Sequence, residues 1–207
     1  MARPREFNKP DVLRKAMHLF WEKGYEATSL TDVLAATGLS KSSLYDTFGD
    51  KRSLFLEALD VYRQDRLAQL RSYLDDGRAA RESIAGFFQE VRAHALEETP
   101  RYGCMSCNEA VEFGPHDEEV QRLVNDDFQG VEDVFAEALA RGQADGSIAN
   151  PEDPRKLARF FSVSLNGLQV MIRAHASAAL IADVIAVLLA TLDTPPVPTS
   201  ASSTITR

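Results

Sequence analysis

The sequence predicts an all-α protein, and three observations support this prediction. Apolar residues recur at spacings of three and four along most of the 207-residue chain, as they do on one face of a helix. Beyond Phe48, Val, Ile and Thr never alternate with polar residues over the length of a strand. Helix breakers such as Asp75-Asp76-Gly77 and Thr99-Pro100 separate the periodic segments. A chain of this length can bury a sizeable core and is expected to form two small domains.

The first two helices are predicted over residues 12–23 and after Ser29. Ser29 is a suitable N-cap, and Asp32, three positions later, completes a capping box. Gly38 is expected to end the second helix, because glycine adopts the left-handed conformation of this position without strain. The turn that follows is expected to bury Leu39.

The third helix, from Ser40 to about Tyr45, is short and has almost no apolar face. Ser40 caps it, Leu44 anchors it in the core, and Asp50 can cap the long helix that follows. A helix that buries so little usually presents its side chains to another molecule. Its exposed positions carry groups that bond phosphate oxygens or base edges, namely Lys41, Ser42, Ser43 and Tyr45. This arrangement is typical of a DNA-reading helix-turn-helix.

The run G-L-S-K-S-S-L-Y-D-T-F-G-D-K, residues 38–51, resembles the DNA-binding signature of the TetR/AcrR family of bacterial regulators. Residues 24–29 and the amphipathic helix before them match as well, so the resemblance covers about the first 60 residues. One departure is Ser42, where many members carry Gly. The resemblance implies an N-terminal three-helix helix-turn-helix domain and a C-terminal helical ligand-binding and dimerisation domain. The alternative is an ordinary three-helix packing unit that touches nothing.

Operator DNA is the partner that this resemblance implies, bound as a palindrome by a dimeric repressor. The predicted DNA contacts lie in residues 40–47 and at helix N-termini: Lys41, Ser42, Ser43, Tyr45 and Thr47 on the DNA, with Thr28, Ser29 and Lys51 on phosphates. The net charge of −8 does not exclude this role. Residues 1–52 carry nine basic and seven acidic residues, a net of +2, whereas residues 53–207 carry fourteen and twenty-four, a net of −10. DNA binding needs a local basic face rather than a basic protein.

The rest of the chain reads as further helices, and we expect three parts: a DNA-binding domain over 1–52, a ligand-binding and dimerisation domain over 53–193, and a disordered, Pro- and Ser-rich tail over 194–207. The predicted helices cover residues 51–74, 79–98, a short helix within 101–115, and residues 116–142, 155–175 and 177–192.

The last two predicted helices are apolar over more than one stripe, which favours a second packing partner. A homodimer supplies it, and two half-sites about 34 Å apart are what a short reading helix needs. Residues 176–192 are short for a membrane span and contain Asp183, so no membrane partner is expected. The polar N-terminus and the two cysteines, too few for a disulfide framework, fit a cytoplasmic protein.

The segment Tyr102-Gly103-Cys104-Met105-Ser106-Cys107-Asn108 resembles the Gly-Cys-x-x-x-Asn pattern of one subgroup of these regulators. In some of its members, the cysteine at the position of Cys104 senses electrophiles or oxidants. A thiol at a helix N-terminus has a lowered pKa, and Arg101 would act in the same direction. Three interpretations stay open: two small core residues; a thiol sensor in which Cys107 forms a disulfide or shares a modifier; and a metal site completed by His94, His116 or Glu109.

A small-molecule effector or electrophile is expected to bind an apolar cavity with few polar groups. The candidates by position are Phe88, Tyr102, Cys104, Cys107, Asn108, Phe128 and Asn166. The two asparagines stand out because a buried amide needs a partner, although a hydrogen bond to backbone explains them equally well. No catalytic constellation, metal motif or glycine-rich phosphate loop is present, so neither an enzyme nor a cofactor is predicted. The alternatives are a ligand-binding or enzymatic helical domain with the helix-turn-helix as scaffold, and a protein-binding adaptor.

Overall fold

The computed structural model describes residues 7–96, 101–113 and 116–193. These residues form nine α-helices and no strand, which confirms the all-α prediction. The predicted tail, residues 194–207, and the predicted break at Thr99-Pro100 lie outside the described residues. The helices are α1 (Lys9–Lys23), α2 (Leu30–Thr37), α3 (Lys41–Phe48), α4 (Lys51–Leu74), α5 (Ala80–Leu96), α6 (Met105–Phe113), α7 (Glu118–Asp145), α8 (Pro154–Arg173) and α9 (Ala178–Ala190).

The predicted caps of α2, α3 and α4 are confirmed. The Ser29 side chain accepts a hydrogen bond from the Asp32 amide at 3.1 Å, and the Asp32 carboxylate accepts one from the Ser29 amide at 2.9 Å. Gly38 takes a φ of 76°, in the left-handed region that favours glycine. The Ser40 and Asp50 side chains cap the next two helices. Each cap satisfies a backbone donor that has no partner inside its helix.

The helix ends differ from the sequence expectation by up to about three residues. Helix α1 begins three residues earlier than predicted, because Asn8 caps it and Pro10 fits its first turn. Helix α3 continues to Phe48, so it is eight residues long. Helix α7 runs past Gly142, which packs inside the fold rather than breaking the helix. A Cβ atom at Gly142 would lie 2.5 Å from the Ile148 side chain.

Two hydrophobic cores divide the molecule. The first core joins α1, α2 and α3, which we call the head, to the first half of α4 and to residues of α6 and early α7. The second core joins the end of α4 to α5, most of α7, α8 and α9, which we call the body. The head core therefore continues without interruption from Leu44 and Phe55 to Cys104 and Cys107. The domain boundary at residue 52 stays a prediction.

Helices α8 and α9 expose one apolar surface, which we call the α8/α9 face. Its members are large apolar side chains that point away from the body core: Phe160, Val163, Val170, Met171, Leu180, Val184 and Val187. Val163 is 71% exposed. Gly167 lies among them, and no atom of the chain is within 4 Å of the place its Cβ would occupy. This surface matches the second apolar stripe that the sequence predicts.

Candidate functional site

Helix α3 buries only two of its eight side chains, Leu44 and Phe48, which hold it against the head core. Lys41, Ser42 and Tyr45 are exposed, and Tyr45 keeps 47% of its surface in solvent. Their exposure leaves their polar groups open to a partner on the outer side of α3. The hydroxyls of Ser42 and Ser43 lie 3.0 and 2.8 Å from that of Ser40, so a partner would compete with these short contacts.

The three residues predicted to contact phosphates at helix N-termini differ in exposure and in hydrogen-bond partners. Ser29 is exposed at the start of α2. Thr28 is buried, and its hydroxyl donates to the Gly24 carbonyl at 2.6 Å. The Lys51 ammonium donates to the carbonyls of Tyr25 and Thr28 at 2.8 and 2.6 Å. Thr28 is therefore not available for a phosphate contact, because its amide and carbonyl are also hydrogen-bonded within the protein. Lys51 holds the loop between α1 and α2.

Cys104 directly precedes α6, where its carbonyl accepts the Asn108 amide hydrogen bond at 3.0 Å. It is buried beside Cys107, and no disulfide joins them. Burial alone would raise the pKa of Cys104, but hydrogen bonds from Cys107 and Tyr62 and the charge of Arg66 hold it below its ordinary value. The contact with Cys104 and burial raise the pKa of Cys107. These opposite shifts make Cys104 the more readily ionised of the two thiols.

The charge beside the cysteines comes from Arg66 of α4, not from the Arg101 that the sequence suggested. Arg66 donates to the buried Asp127 carboxylate at 2.5 Å and to the Asn166 side chain at 3.3 Å. The Tyr62 hydroxyl on the same helix accepts the Met105 amide at 3.2 Å. Sequence reasoning missed Arg66, Tyr62 and Asp127 because helix packing brings them to the cysteines over long separations in sequence. The one hint in the sequence is that Arg66, a charged residue, lies on the apolar side of α4, where a charge needs a buried partner.

A cavity of about 940 Å³ opens onto Cys104 between α1, α4, α5 and α8. Aromatic and amide side chains line it, together with arginines, carboxylates and two histidines; they include His18, Trp21, Gln69, Phe87, His94 and Gln169. Its volume lies at the upper end of the range for small-molecule sites. The structure thus provides a cavity where the sequence predicted one, but with a more polar wall than expected.

The other predicted ligand residues do not all meet in this cavity. Cys107 and Asn108 line a separate cavity of about 320 Å³ between α1, α6 and α8, and Phe128 lines a third of about 250 Å³. Phe88 is fully buried in the body core. Among the predicted residues, Cys104 is the member that reaches the large cavity.

The predicted asparagines have internal partners. Asn108 donates its side-chain amide to the Tyr102 carbonyl at 3.1 Å, and Asn166 accepts from Arg66. The Tyr102 ring packs on Trp21 with their centroids 5.9 Å apart. Asn108 and Tyr102 therefore help to hold the cysteine segment, and Asn166 helps to hold Arg66.

Gly103 lets the cysteine segment lie directly on α8. Its φ is 69°, and an added Cβ atom would lie 2.8 Å from the Gln169 carbonyl oxygen and 3.1 Å from the Arg173 Cβ atom. Its own carbonyl accepts the Trp21 indole hydrogen at 3.1 Å. Glycine is required here both for its conformation and for its size, so Cys104 is fixed between α1 and α8.

The C-terminal end of α6 is hydrogen-bonded to the head. The Glu112 carboxylate accepts hydrogen bonds from the Tyr25 and Glu26 amides at 3.3 and 2.7 Å, in the loop between α1 and α2. Arg52 at the start of α4 pairs with Asp117 and Glu119 near the start of α7, each at 2.7 Å. Helix α6 therefore touches the thiol pair at one end and the head at the other.

Two kinds of feature are absent from the residues that the structure describes. No group of three or more His, Cys, Asp or Glu side chains there could hold a metal ion. None of the described helices combines the length and apolar character needed to cross a membrane.

Comparisons with known proteins agree with this architecture. The model of the bacterial regulatory proteins of the tetR family matches residues 12–58, and that of the tetracyclin repressor-like C-terminal domain matches residues 80–188. The HTH-type transcriptional regulator YezE of Bacillus subtilis is 35% identical over 93% of this chain and 100% of its own length. The HTH-type transcriptional repressor ComR of Escherichia coli is 30% identical over 85% of this chain and 84% of its own.

Among solved structures, a cysteine mutant of the TetR family regulator CifR is similar to this chain. It was solved in complex with 26-base-pair double-stranded operator DNA. It is 33% identical, with a TM-score of 0.79 over 91% of this chain and 98% of its own. The proteins named in these comparisons are transcriptional regulators rather than enzymes. Together the family models and the relatives show that this chain belongs to the TetR family of bacterial transcriptional regulators.

Proposed function

We propose that this chain is a dimeric transcriptional repressor that binds a palindromic operator through α3 and acts in the cytoplasm. The observation that carries this proposal is the exposed polar side of α3, on a helix fixed to the core by Leu44 and Phe48. CifR was solved with operator DNA, and ComR is named a repressor. Lys41, Ser42, Ser43, Tyr45 and Thr47 are the proposed direct contacts. Ser29 would meet a phosphate, and Lys51 holds the loop that precedes it.

The dimer is proposed to form through the α8/α9 face. Large apolar side chains grouped on one surface favour a protein partner over water. Gly167 at the centre of this face leaves room for a second helix to approach closely. A second copy would therefore bury the face and set two α3 helices at the spacing of successive major grooves, about 34 Å.

The effector is proposed to act in the large cavity, as a small molecule or as an electrophile that modifies Cys104. A thiolate held by Arg66 and Tyr62 is the reactive form for attack on electrophiles. Modification would remove that charge from a buried cluster and disturb the first turn of α6. Because Glu112 at the other end of α6 holds the head, the disturbance is expected to change the spacing of the two heads and release DNA.

Fluorescence anisotropy with the DNA upstream of the protein's own gene tests the binding proposal. The Lys41→Ala variant should bind more weakly, with its salt dependence reduced by about one unit of log K against log salt, as loss of one phosphate contact requires. Lys156→Ala removes an exposed lysine from the start of α8 and should change neither quantity. No specific binding by the reduced protein, or equal effects of the two variants, would contradict the proposal.

A further inference from the structure

Glu109, in the middle of α6, is an acidic residue in a place where a charge is costly. The residue is fully buried, and within the described part of the chain neither of its carboxylate oxygens has a hydrogen-bond partner. Buried polar groups in folded proteins nearly always have such a partner. The Glu109 carboxyl group can therefore accept hydrogen bonds from a donor that the described chain does not supply.

The surroundings of Glu109 favour its neutral form. Burial is the largest cause that raises its pKa to about 8, and the charge of Glu112 on the same helix acts in the same direction. The charge of Arg173 on α8 opposes them, but its guanidinium donates to the carbonyls of Trp21 and Tyr102. Because no cation of the described chain pairs with Glu109, a cation from outside would stabilise its ionised form.

Glu109 lines a cavity of about 250 Å³ between α6 and α7, which we call the α6/α7 cavity. The other residues that line it carry no charge: Ala110, Val120, Gln121, Val124, Asn125 and Phe128. Val120 and Val124 are buried, whereas Gln121 and Asn125 are exposed. The cavity therefore has an apolar floor beside Glu109 and opens to solvent between two amides.

The chemistry of this lining fits a small organic cation. One carboxylate alone is too few ligands for a divalent metal ion. An ammonium group donates three hydrogen bonds, which the oxygens of Glu109, Gln121 and Asn125 can accept. The Phe128 ring attracts a cation, and the apolar floor favours a short alkyl chain. The volume is below the usual range for drug-sized ligands, so the cation must be small.

We propose that the α6/α7 cavity binds a small primary amine as its ammonium ion, with Glu109 as the counter-ion. This inference goes beyond the proposed function, because the cavity is separate from the one that Cys104 reaches and binding requires no DNA. The ammonium ion takes the place of the proton on Glu109. Binding at neutral pH therefore releases that proton to solvent.

Isothermal titration calorimetry of the full-length protein with n-butylamine tests the site. In two buffers of different ionisation enthalpy at pH 7, binding should release about 0.9 proton, since a carboxyl group with a pKa of about 8 is mostly protonated before binding and charged afterwards. The apparent affinity should rise about 50-fold from pH 6 to pH 8 for the same reason. n-Butanol, which has the same chain without the charge, should bind more weakly and release no proton.

Two variants assign the released proton to Glu109. Glu109→Gln keeps the shape of the neutral side chain but cannot ionise, so it should bind n-butylamine at pH 8 at least about tenfold more weakly and release no proton. Glu118→Gln is the matched control, because it removes an exposed carboxylate from the first turn of α7, and it should change neither quantity.

The proton release of the wild type needs no variant, so it decides the question even if Glu109→Gln folds poorly. Absence of n-butylamine binding, or binding without proton release, would overturn the site. Equal binding by the wild type and Glu109→Gln would also overturn it. Each of these results leaves the proposed operator binding untouched, and a protein that binds the amine but no operator would contradict the proposed function alone.

Discussion

Replacing Gly103 with alanine should destabilise the protein through two costs that can be separated. The residue has a φ of 69°, and a non-glycine residue in the left-handed region costs about 1–2 kcal/mol. In addition, the new methyl group would lie 2.8 Å from the Gln169 carbonyl oxygen of α8. Because a backbone atom cannot rotate away, the segment must shift, and overpacking of this kind adds about 1–3 kcal/mol.

Gly146→Ala is the matched control for the conformational cost. Gly146 has a φ of 79°, but no atom lies within 4 Å of the place its Cβ would occupy. The difference between the two variants therefore isolates the close approach of the cysteine segment to α8. Gly103→Ala should be less stable than Gly146→Ala by about 1–3 kcal/mol, or about 2–12 °C in Tm for a chain of this size.

Thermal unfolding followed by far-ultraviolet circular dichroism measures this difference. All proteins should be compared at one concentration, because a dimer couples Tm to concentration. Equal losses in the two variants would refute the reasoning, since they would show that α8 does not confine residue 103. A Gly103→Ala protein as stable as the wild type would also refute the left-handed assignment.

Three further predictions concern the DNA surface, the dimer and a buried acid. Tyr45→Phe should weaken operator binding about 2- to 10-fold on every DNA sequence tested, because it removes one hydrogen bond to phosphate. A changed base preference in a binding-site selection would contradict the phosphate-contacting role of Tyr45. Val163→Glu should yield monomers by analytical ultracentrifugation. The control Val111→Glu, at a position 82% exposed on α6, should leave the dimer intact. A dimeric Val163→Glu protein would argue against the α8/α9 face as the dimer interface. Burial raises the pKa of Glu109 from 4.5 to about 8, and neither carboxylate oxygen has a hydrogen-bond partner. The folded state thus keeps a proton that the unfolded state loses, so the free energy of unfolding should fall as pH rises from about 5 to about 8. Urea titrations over this pH range should show a smaller fall for Glu109→Gln than for the wild type. An equal fall in the two proteins would contradict the assignment of this pH dependence to Glu109.

The head could be predicted almost completely from the sequence, because its structure is local. The capping box at Ser29, the left-handed Gly38 and the cap at Ser40 each depend on residues no more than four positions apart. The end of α3 was misplaced because its last turn has only Phe48 to mark it as buried. The predicted helix stops at Gly142, since the sequence does not show that Ile148 folds back onto this glycine.

The cluster around Cys104 could be predicted only in part, because the residues that surround this cysteine are distant from it in sequence. The resemblance to the Gly-Cys-x-x-x-Asn pattern points to Cys104, but nothing in the sequence connects Cys104 with Arg66, Tyr62 and Asp127. An arginine on α4 next to an aspartate on α7 is visible only when the two helices pack. Phe88, Phe128 and Asn108 do not line the cavity that Cys104 reaches, because sequence proximity and apolar character do not show which residues share a cavity.

The affinity of the reduced protein for its operator, before and after treatment with N-ethylmaleimide, tests the central claim that Cys104 controls DNA binding. The wild type should bind and then lose about 5- to 150-fold in affinity, the range of a typical allosteric coupling. Cys104→Ser should bind its operator and show no response to the reagent. A wild type that keeps its affinity when Cys104 is fully alkylated, or a Cys104→Ser protein that responds as strongly, would contradict the account.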